Sequence, residues 1–215
     1  MAVTSTAEGK ASRERILRAA TELFAEHGYD ATSTRSIAEA AGLNIATVAY
    51  HVGTKSDLYR EVMRRAHLAQ RDVVTVATQE LGECEPTPQA TREALHRFAD
   101  SYLNFAVGNR EVSLLWLRRW LAEGEDMADI EDEFAGPLAT EASQTIQRVL
   151  DRAGLAHDLD VEMLVYTIVW TAHSFSRGGI IAAGGRRLRA EDLDMLERFR
   201  RHLHHLIDGV LGTAN

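Results

Sequence analysis

Glycines and helix-capping residues alternate close to the N-terminus, and their spacing constrains the fold more than any other feature of the sequence. Ser33 can cap a helix that Gly42 ends, and Asn44 can cap a second helix, "IATVAYHV", that ends before Gly53. Each of these helices has room for only about two turns. Two short helices that meet at a glycine turn are typical of a helix-turn-helix, here over about residues 33–52.

Longer helices are predicted on both sides of this motif. Upstream, apolar residues recur at helical spacing and form one apolar face: Ile16, Leu17, Ala20, Leu23 and Phe24. Ser12 is expected to cap that helix and Gly28 to end it in the left-handed conformation. Downstream, Thr54 and Asp57 have capping-box spacing and begin a helix that is expected to reach about Leu81. The inward side of the first short helix is expected to be Ile37, Ala40 and Ala41.

The rest of the chain is also predicted to be helical. Only three prolines occur in 215 residues, and Ala, Leu, Glu and Arg recur throughout, a composition that favours helices over strands. Helices are expected at about residues 87–108, 110–123, 126–153, 160–177 and 191–211. Pro137 should divide or kink the third of these. The Gly-rich segment at 177–187, "RGGIIAAGGRR", is interpreted as a helix end and a loop, since it lacks the spacing of a nucleotide-binding motif.

Charge is distributed unevenly along the chain. Residues 1–65 contain nine Lys or Arg and eight Asp or Glu, whereas residues 66–215 contain 15 and 24. Only the first segment is electrostatically suited to a polyanion. The single cysteine, Cys84, excludes an internal disulfide, and no apolar run reaches the roughly 18 residues that span a bilayer. We therefore expect a cytoplasmic protein with no membrane partner.

Residues 11–71 resemble the N-terminal DNA-binding domain of the TetR family of transcriptional regulators. The resemblance is carried by "RILRAATELFAEHGYDATSTRSIAEAAGLN" and by "YHVGTKSDLYREV". It implies an all-α fold in which a three-helix DNA-binding domain at 11–71 precedes a larger helical ligand-binding and dimerisation domain at 72–215. It also implies a homodimer that binds a palindromic double-stranded DNA operator, most often as a repressor. A small-molecule effector usually releases such a protein from its operator.

The second helix of a helix-turn-helix enters the major groove, while contacts to phosphates fix its register. Ile45 and Val48 are expected to face inward. Arg35 and Lys55 are the best candidates for neutralising phosphates, because they flank an uncharged recognition helix. The full set of expected DNA-contacting residues is Ser33, Thr34, Arg35, Asn44, Ala46, Thr47, Tyr50, His51 and Lys55.

Three positions depart from the family pattern. Ala46 stands where Gly is common, Ala49 where an aromatic residue is often found, and Val52 where Phe usually closes the helix. The change at Ala49 removes a hydroxyl that would contact phosphate, so Tyr50 and His51 must carry more of that role. These departures leave an alternative open, a helical small-molecule-binding or interaction protein whose DNA binding has weakened.

The predicted C-terminal helices contain candidates for a ligand pocket and for a dimer interface. The aromatic pocket candidates are Tyr102, Phe105, Trp116, Trp120, Trp170 and His173, although most are expected to belong to an ordinary core. Along the last helix, apolar residues recur at spacings of three and four: Leu196, Phe199, Leu203, Leu206 and Val210. This seam, like the apolar segment 163–172, either packs within the subunit or joins two subunits.

Other chemistry finds little support in the sequence. His202 and His205 share a helix face, but no Cys or carboxylate cluster accompanies them, so no metal site is predicted. The chain contains neither a nucleophile elbow nor a zinc-protease motif. We therefore expect no catalytic residues, no cofactor and no enzymatic activity.

Overall fold

The computed structural model describes residues 2–122, 129–155 and 159–212. Within these ranges lie nine α-helices: α1 (Ala2–Ala31), α2 (Thr34–Ala40), α3 (Ile45–Val52), α4 (Lys55–Gly82), α5 (Pro88–Gly108), α6 (Arg110–Ala122), α7 (Gly136–Ala153), α8 (Val161–Gly178) and α9 (Leu193–Val210). A short antiparallel hairpin joins α8 to α9 and consists of β1 (Ile180–Ile181) and β2 (Arg187–Leu188). The all-α prediction is confirmed. No helix in the described part of the chain is long and apolar enough to cross a membrane.

The predicted helix over 126–153 is divided, and its first three positions, 126–128, lie outside the described residues. A π-helical turn at Glu131–Ala135, called the π segment below, comes directly before α7. Pro137 occupies the first turn of α7, where its missing amide hydrogen costs no helical hydrogen bond. The proline therefore marks the start of a new helix, in line with the expectation that it would divide this one.

Local capping explains why the N-terminal helices begin where they do. The side chains of Ser33, Asn44 and Thr54 each accept a hydrogen bond from the backbone amide three residues later, at 3.0, 2.7 and 3.1 Å respectively. Each bond satisfies an amide that the first turn of a helix leaves without a partner. Asp57 completes the predicted capping box by accepting from the amide of Thr54 at 2.9 Å. These three predicted caps are confirmed.

Three expectations about this region are wrong. Ser12 lies inside α1, which already begins at Ala2, because the residues before Ser12 include three alanines and no proline, so a helix can form there. Gly28 does interrupt the helical backbone of α1, but with φ 83° and ψ 173°, a positive-φ conformation that is essentially restricted to glycine and is not the left-handed helical one. Ala40 is exposed, whereas Ala38 is buried beside Ile37.

Helices α1 to α4 pack around one apolar cluster. Its largest members are Ile16, Leu17, Phe24, Ile37, Val48, Leu58, Tyr59, Val62 and Met63. Leu115 and Trp116 of α6 and Ile130 and Phe134, from the π segment and the residue before it, complete the same cluster. The N-terminal unit therefore depends on apolar side chains from the second half of the chain, each worth roughly 1.5–3 kcal/mol when buried.

The second apolar cluster lies among α4, α5, α7, α8 and α9. Helix α4 contributes to both clusters, because its first half buries Leu58 and Val62 in the N-terminal unit and its second half buries Val74 and Leu81 in the other. The boundary expected between residues 71 and 72 therefore falls within one continuous helix.

Helix α9 packs on α5 through a stripe that repeats every four residues, namely Met195, Phe199, Leu203 and Ile207. Because an α-helix repeats every 3.6 residues, this stripe winds around α9 and leaves Leu206 and Val210 38% and 48% exposed. The predicted intersubunit seam is therefore wrong for Phe199 and Leu203, which are buried within the subunit. Leu196 is half-buried against the same cluster.

Helix α8 is apolar on most of its surface but is not buried all round. Leu164, Val165 and Ile168 face the core, whereas Met163 and Tyr166 are each 55% exposed. Together with Leu206 and Val210 of α9, these two residues leave apolar surface on both of the last helices.

The hairpin after α8 corrects the interpretation of the Gly-rich segment as a loop alone. Gly179 follows α8 with φ 61° and ψ −155°, a combination that is essentially restricted to glycine. A Cβ atom at Gly179 would lie 2.0 Å from the carbonyl oxygen of Leu188 in β2. Both the backbone conformation and this close approach therefore require glycine.

Replacing Gly179 by alanine is expected to lower the free energy of unfolding by about 2 kcal/mol, since the side chain adds an overlap to a strained backbone. Gly184 is the matched control, because it also has positive φ but its Cβ would meet no atom within 4 Å. Gly184→Ala should cost about 1 kcal/mol. Urea denaturation of both variants measures the free energies of unfolding. Equal losses of stability in the two variants would show that the hairpin can shift away from the new side chain at Gly179 without an energetic cost.

Candidate DNA-binding surface and ligand cavity

The short helix α3 presents one face to solvent. Tyr50 is 85% exposed, and Ala46 and Ala49 lie exposed beside it, whereas Val48 is 1% exposed and packs into the N-terminal cluster. Ile45 was expected to face inward but is 48% exposed. It is the first residue of α3, and helical side chains lean towards the N-terminus, so its side chain extends past the end of the helix.

The other expected DNA-contacting residues surround this face. Those exposed to solvent are Ser33, Arg35, Asn44, Ala46 and Tyr50. Those that are half-buried are Thr34, Thr47, His51 and Lys55. The structure thus places all nine on α2, on α3, at the caps that begin α2 and α3, or, for Lys55, at the first residue of α4, all within the N-terminal unit.

Hydrogen bonds already engage some of these polar groups. The Thr47 hydroxyl donates to Asn44 Oδ1 at 2.9 Å, which turns the hydroxyl hydrogen away from solvent and leaves the methyl group and an oxygen lone pair available. His51 lies against the ring edge of Tyr50, with 5.2 Å between the centroids. A Cβ atom at Gly9 would be 3.8 Å from His51 Cε1, so the start of α1 reaches the recognition helix, a contact that the sequence did not predict.

Two cations flank α3. Arg35 is exposed in the first turn of α2 and forms no ion pair with any residue that the structure describes. Lys55 lies at the start of α4, with its Nζ 4.2 Å from the centroid of the Tyr29 ring and 3.4 Å from the carbonyl oxygen of Asp30. The cation–π contact orients the ammonium group without neutralising it. Both charges therefore remain available to an anion.

A cavity of about 960 Å³ lies between α4, α5, α6, the π segment, α7 and α8. Its apolar wall includes Val74, Phe98, Tyr102, Trp120, Leu138, Val165, Tyr166, Val169 and Trp170. Its polar groups include Gln70, Arg119, Glu131, Thr140, Ser143 and Glu162. A large apolar cavity with a few polar groups has the size and composition of a small-molecule site.

Half of the six predicted pocket residues lie on the cavity wall. Tyr102, Trp120 and Trp170 do so, and Trp120 and Trp170 form part of one continuous row of stacked rings. Trp116 is fully buried in the N-terminal cluster because it lies on the side of α6 that faces α1. Phe105 and His173 are buried in the wall behind Tyr102 and do not line the space. The prediction is therefore wrong for Trp116, Phe105 and His173.

A chain of hydrogen bonds runs from the cavity into the core. Gln70 Nε2 donates to the Tyr102 hydroxyl oxygen at 2.7 Å, and that oxygen lies 2.8 Å from His173 Nε2. Burial lowers the pKa of His173 to about 4 and raises the pKa of Tyr102, because each group would lose hydration in its charged form. Both side chains are therefore neutral at physiological pH, and Gln70 links them to α4.

An ion pair lies at the other side of the cavity. Arg119 is buried, and it donates from Nε and Nη2 to the two carboxylate oxygens of Glu131, at 2.8 and 3.0 Å. The parallel bonds fix both planar groups. This pair was not predicted from the sequence, although Arg119 follows the apolar Trp116 by three residues, a spacing that places the two on neighbouring parts of the α6 surface.

The π segment connects the cavity to the N-terminal unit. Glu131 lines the cavity, while Glu133 in the same turn accepts from Arg60 Nη1 of α4 at 3.2 Å. Phe134 stacks on His67, also in α4, with 5.0 Å between the centroids. The π segment therefore contacts both the cavity and the first half of α4.

Metal binding finds no support in the described ranges, where no group of three or more His, Cys, Asp or Glu side chains converges on a possible metal position. His202 and His205 are both exposed on α9.

Known proteins resemble this chain in sequence near its N-terminus. The family sequence model described as "Bacterial regulatory proteins, tetR family" matches residues 16–62. The HTH-type transcriptional dual regulator CecR of Shigella flexneri is 44% identical over 54 residues, which are 25% of this chain and 24% of that protein. The match therefore spans about a quarter of that relative's length.

Solved structures resemble nearly the whole chain. The TetR-family transcriptional regulator PfmR of Thermus thermophilus has a TM-score of 0.62 and 24% identity, over 94% of this chain and 97% of that one. AibR, solved in complex with isovaleryl coenzyme A and operator DNA, has a TM-score of 0.68 and 18% identity, over 90% of this chain and 98% of that one. The fold is therefore that of these regulators, with a helix-turn-helix domain followed by a helical domain.

Proposed function

We propose that this chain, whose N-terminal domain belongs to the TetR family of transcriptional regulators, is a ligand-responsive repressor that binds a palindromic DNA operator as a homodimer. The observation that carries the proposal is the continuity of α4. This helix begins with Lys55 beside the recognition helix and reaches Gln70 and Val74 on the cavity wall. One continuous helix therefore connects the proposed DNA-binding surface to the proposed small-molecule site.

Recognition of DNA is assigned to the exposed face of α3 and its flanks. Tyr50 offers a hydroxyl to a base edge or a phosphate, while Ala46 and Ala49 allow the helix to approach the groove closely and to contact thymine methyl groups. Arg35 and Lys55 supply charge to the phosphates on both sides. In a homodimer, two copies of α3 would enter successive major grooves about 34 Å apart.

Release from DNA is assigned to the cavity. A ligand that displaces Glu131 or Gln70 would act on α4 through the π segment or directly, and so would change the position of α3. The operator and the ligand then favour different positions of the same helix. Since each would bind one state more tightly, each weakens binding of the other.

Selection of genomic fragments on the purified protein at moderate salt tests the proposal. We expect enrichment of one palindromic sequence whose half-sites lie about one helical turn apart. Fragments retained without any shared sequence would contradict it. That result would favour the alternative, a helical small-molecule-binding protein with weakened DNA binding. This alternative is motivated by the small exposed side chains of Ala46 and Ala49, which offer few contacts to DNA.

Replacing Lys55 by alanine is expected to weaken binding about equally for the selected operator and for unrelated DNA. Because one phosphate contact is lost, the slope of log affinity against log salt should become shallower by about one unit. Arg198→Ala provides the matched control, since Arg198 is an exposed cation on α9. Fluorescence anisotropy across a salt series measures both slopes, and an unchanged slope for the Lys55 variant would exclude a contact between Lys55 and phosphate.

A further inference from the structure

The charged groups of the cavity favour one class of ligand. The described lining contains one cation, Arg119, and two carboxylates, Glu131 and Glu162. Arg119 is already bound to Glu131 through two hydrogen bonds, so this pair offers little net charge to a ligand. Glu162 forms no ion pair with any residue that the structure describes. The cavity therefore presents one carboxylate without a counter-charge.

The aromatic groups of the cavity form one wall. Tyr166 and Trp170 of α8 stack with centroids 5.9 Å apart and rings 16° from parallel, and Trp170 and Trp120 continue the row at 5.8 Å and 27°. Tyr166 is 55% exposed, so the row extends from the interior to solvent. Wide ring faces bury flat molecules well, and their negative faces attract cations.

Glu162 is placed to act together with this wall. It lies in the first turn of α8, four residues before Tyr166 and therefore on the same side of the helix. Both residues line the cavity, and both are exposed enough to meet solvent at its edge. A carboxylate beside aromatic faces is the combination that holds an organic cation.

We propose that the cavity accepts a flat aromatic compound with a single positive charge, with its rings against Trp120, Trp170 and Tyr166 and its charge beside Glu162. The proposal rests on the proposed function only in treating this cavity as the effector site. The proposed ligand class also differs from isovaleryl coenzyme A, the ligand with which the fold neighbour AibR was solved. The phosphates of such a ligand are anionic, whereas the single cation in the described lining, Arg119, is already engaged by Glu131.

Binding of three matched probes to the full chain tests the ligand class. N-methylacridinium, neutral acridine and an acridine carboxylate share one ring system and differ in charge, and quenching of tryptophan fluorescence reports their binding. We expect the cation to bind about tenfold more tightly than the neutral compound and the anion to bind most weakly. Equal affinities, or tighter binding of the anion or of isovaleryl coenzyme A, would overturn the proposal.

Two variants assign the effect to the named groups. Glu162→Gln should remove the preference for the cation while leaving the affinity for neutral acridine unchanged, and Trp170→Leu should weaken binding of both compounds. Glu141→Gln is the control for Glu162, because Glu141 is exposed on α7 outside the cavity. A preference that survives Glu162→Gln would contradict the assigned role of Glu162.

A separate measurement distinguishes the ligand class from the proposed function. N-methylacridinium is added to the operator complexes of the parent and of Glu162→Gln, and release is followed by anisotropy; release that is equal in both would be due to binding of the cation to DNA and does not count as a response of the protein. Binding of the cation without release would support the ligand class and contradict ligand-responsive repression. Sequence-specific DNA binding together with no binding of any probe would overturn the ligand class and leave the DNA-binding function intact.

Discussion

Replacement of Phe199 by glutamate is expected to unfold the helical domain, whereas the same replacement of Leu206 should preserve the fold and dissociate the proposed dimer. Phe199 is 8% exposed and stacks on Phe175 with 4.0 Å between the ring centroids. A carboxylate there loses the packing of the ring and must also be buried, which should cost about 4 kcal/mol or more. That cost is comparable to the whole stability of many domains.

Leu206 has a different environment on the same helix. It is 38% exposed and lies one residue before the buried Ile207, so that it is turned about 100° from the face that packs on α5. A glutamate at this position remains hydrated in the isolated subunit. In a dimer that uses the exposed side of α9, it would be buried opposite its own symmetry mate in an isologous contact.

Three measurements separate these outcomes. Circular dichroism should show a large loss of helix for Phe199→Glu and none for Leu206→Glu, and light scattering should show monomers for Leu206→Glu. Operator affinity of the monomer should fall on the order of a hundredfold or more, because the second half-site no longer binds in the same complex. Arg201→Glu, also exposed on α9, is the control.

A dimer that persists in Leu206→Glu would place the interface elsewhere, for example on the exposed side of α8. A folded Phe199→Glu variant would contradict the packing of α9 within the subunit.

The N-terminal helix boundaries were predictable because local interactions determine them. Ser33, Asn44 and Thr54 each bond to an amide three residues away, so the signal for each cap lies within a window of four residues. The position of the helix-turn-helix follows from these caps and from the glycines between them. This is the part of the site that the sequence determined most completely.

Contacts between distant parts of the chain were not predictable in the same way. Trp116 is separated by about ninety residues from the α1 side chains in its apolar cluster. Helical periodicity predicts that such a residue faces inward, but it does not predict which residues it contacts. The same limit applies to α9, where an apolar pattern located Phe199 and Leu206 on one seam. In the structure the buried stripe winds around α9, so that Phe199 is buried and Leu206 is exposed. Which residues of α9 are covered depends on the orientation of α5, and the sequence of α9 does not contain that information.

His173 is expected to make the free energy of unfolding strongly dependent on pH between about 6.5 and 4. Its pKa is about 4 in the folded protein, because burial opposes the charged form, and returns to 6.5 when the chain unfolds. Within that interval the unfolded chain binds more protons than the folded one, so the folded state loses stability as the pH falls. The loss should approach about 3 kcal/mol at pH 4 and should be absent above pH 6.5, where both states are neutral.

Urea denaturation at a series of pH values measures this dependence. His173→Gln can keep a polar contact to Tyr102 but has no proton to bind, so its stability should fall by about 3 kcal/mol less than that of the parent over the same interval. Other groups, among them Glu61 with a pKa lowered to about 2 by its hydrogen bonds to Arg64, titrate in both proteins and cancel in the comparison. His202→Gln on the exposed side of α9 should retain the parent's pH dependence. Parallel curves for the parent and His173→Gln would mean that water or a charge reaches His173, and that the chain from Gln70 to His173 is not closed to solvent.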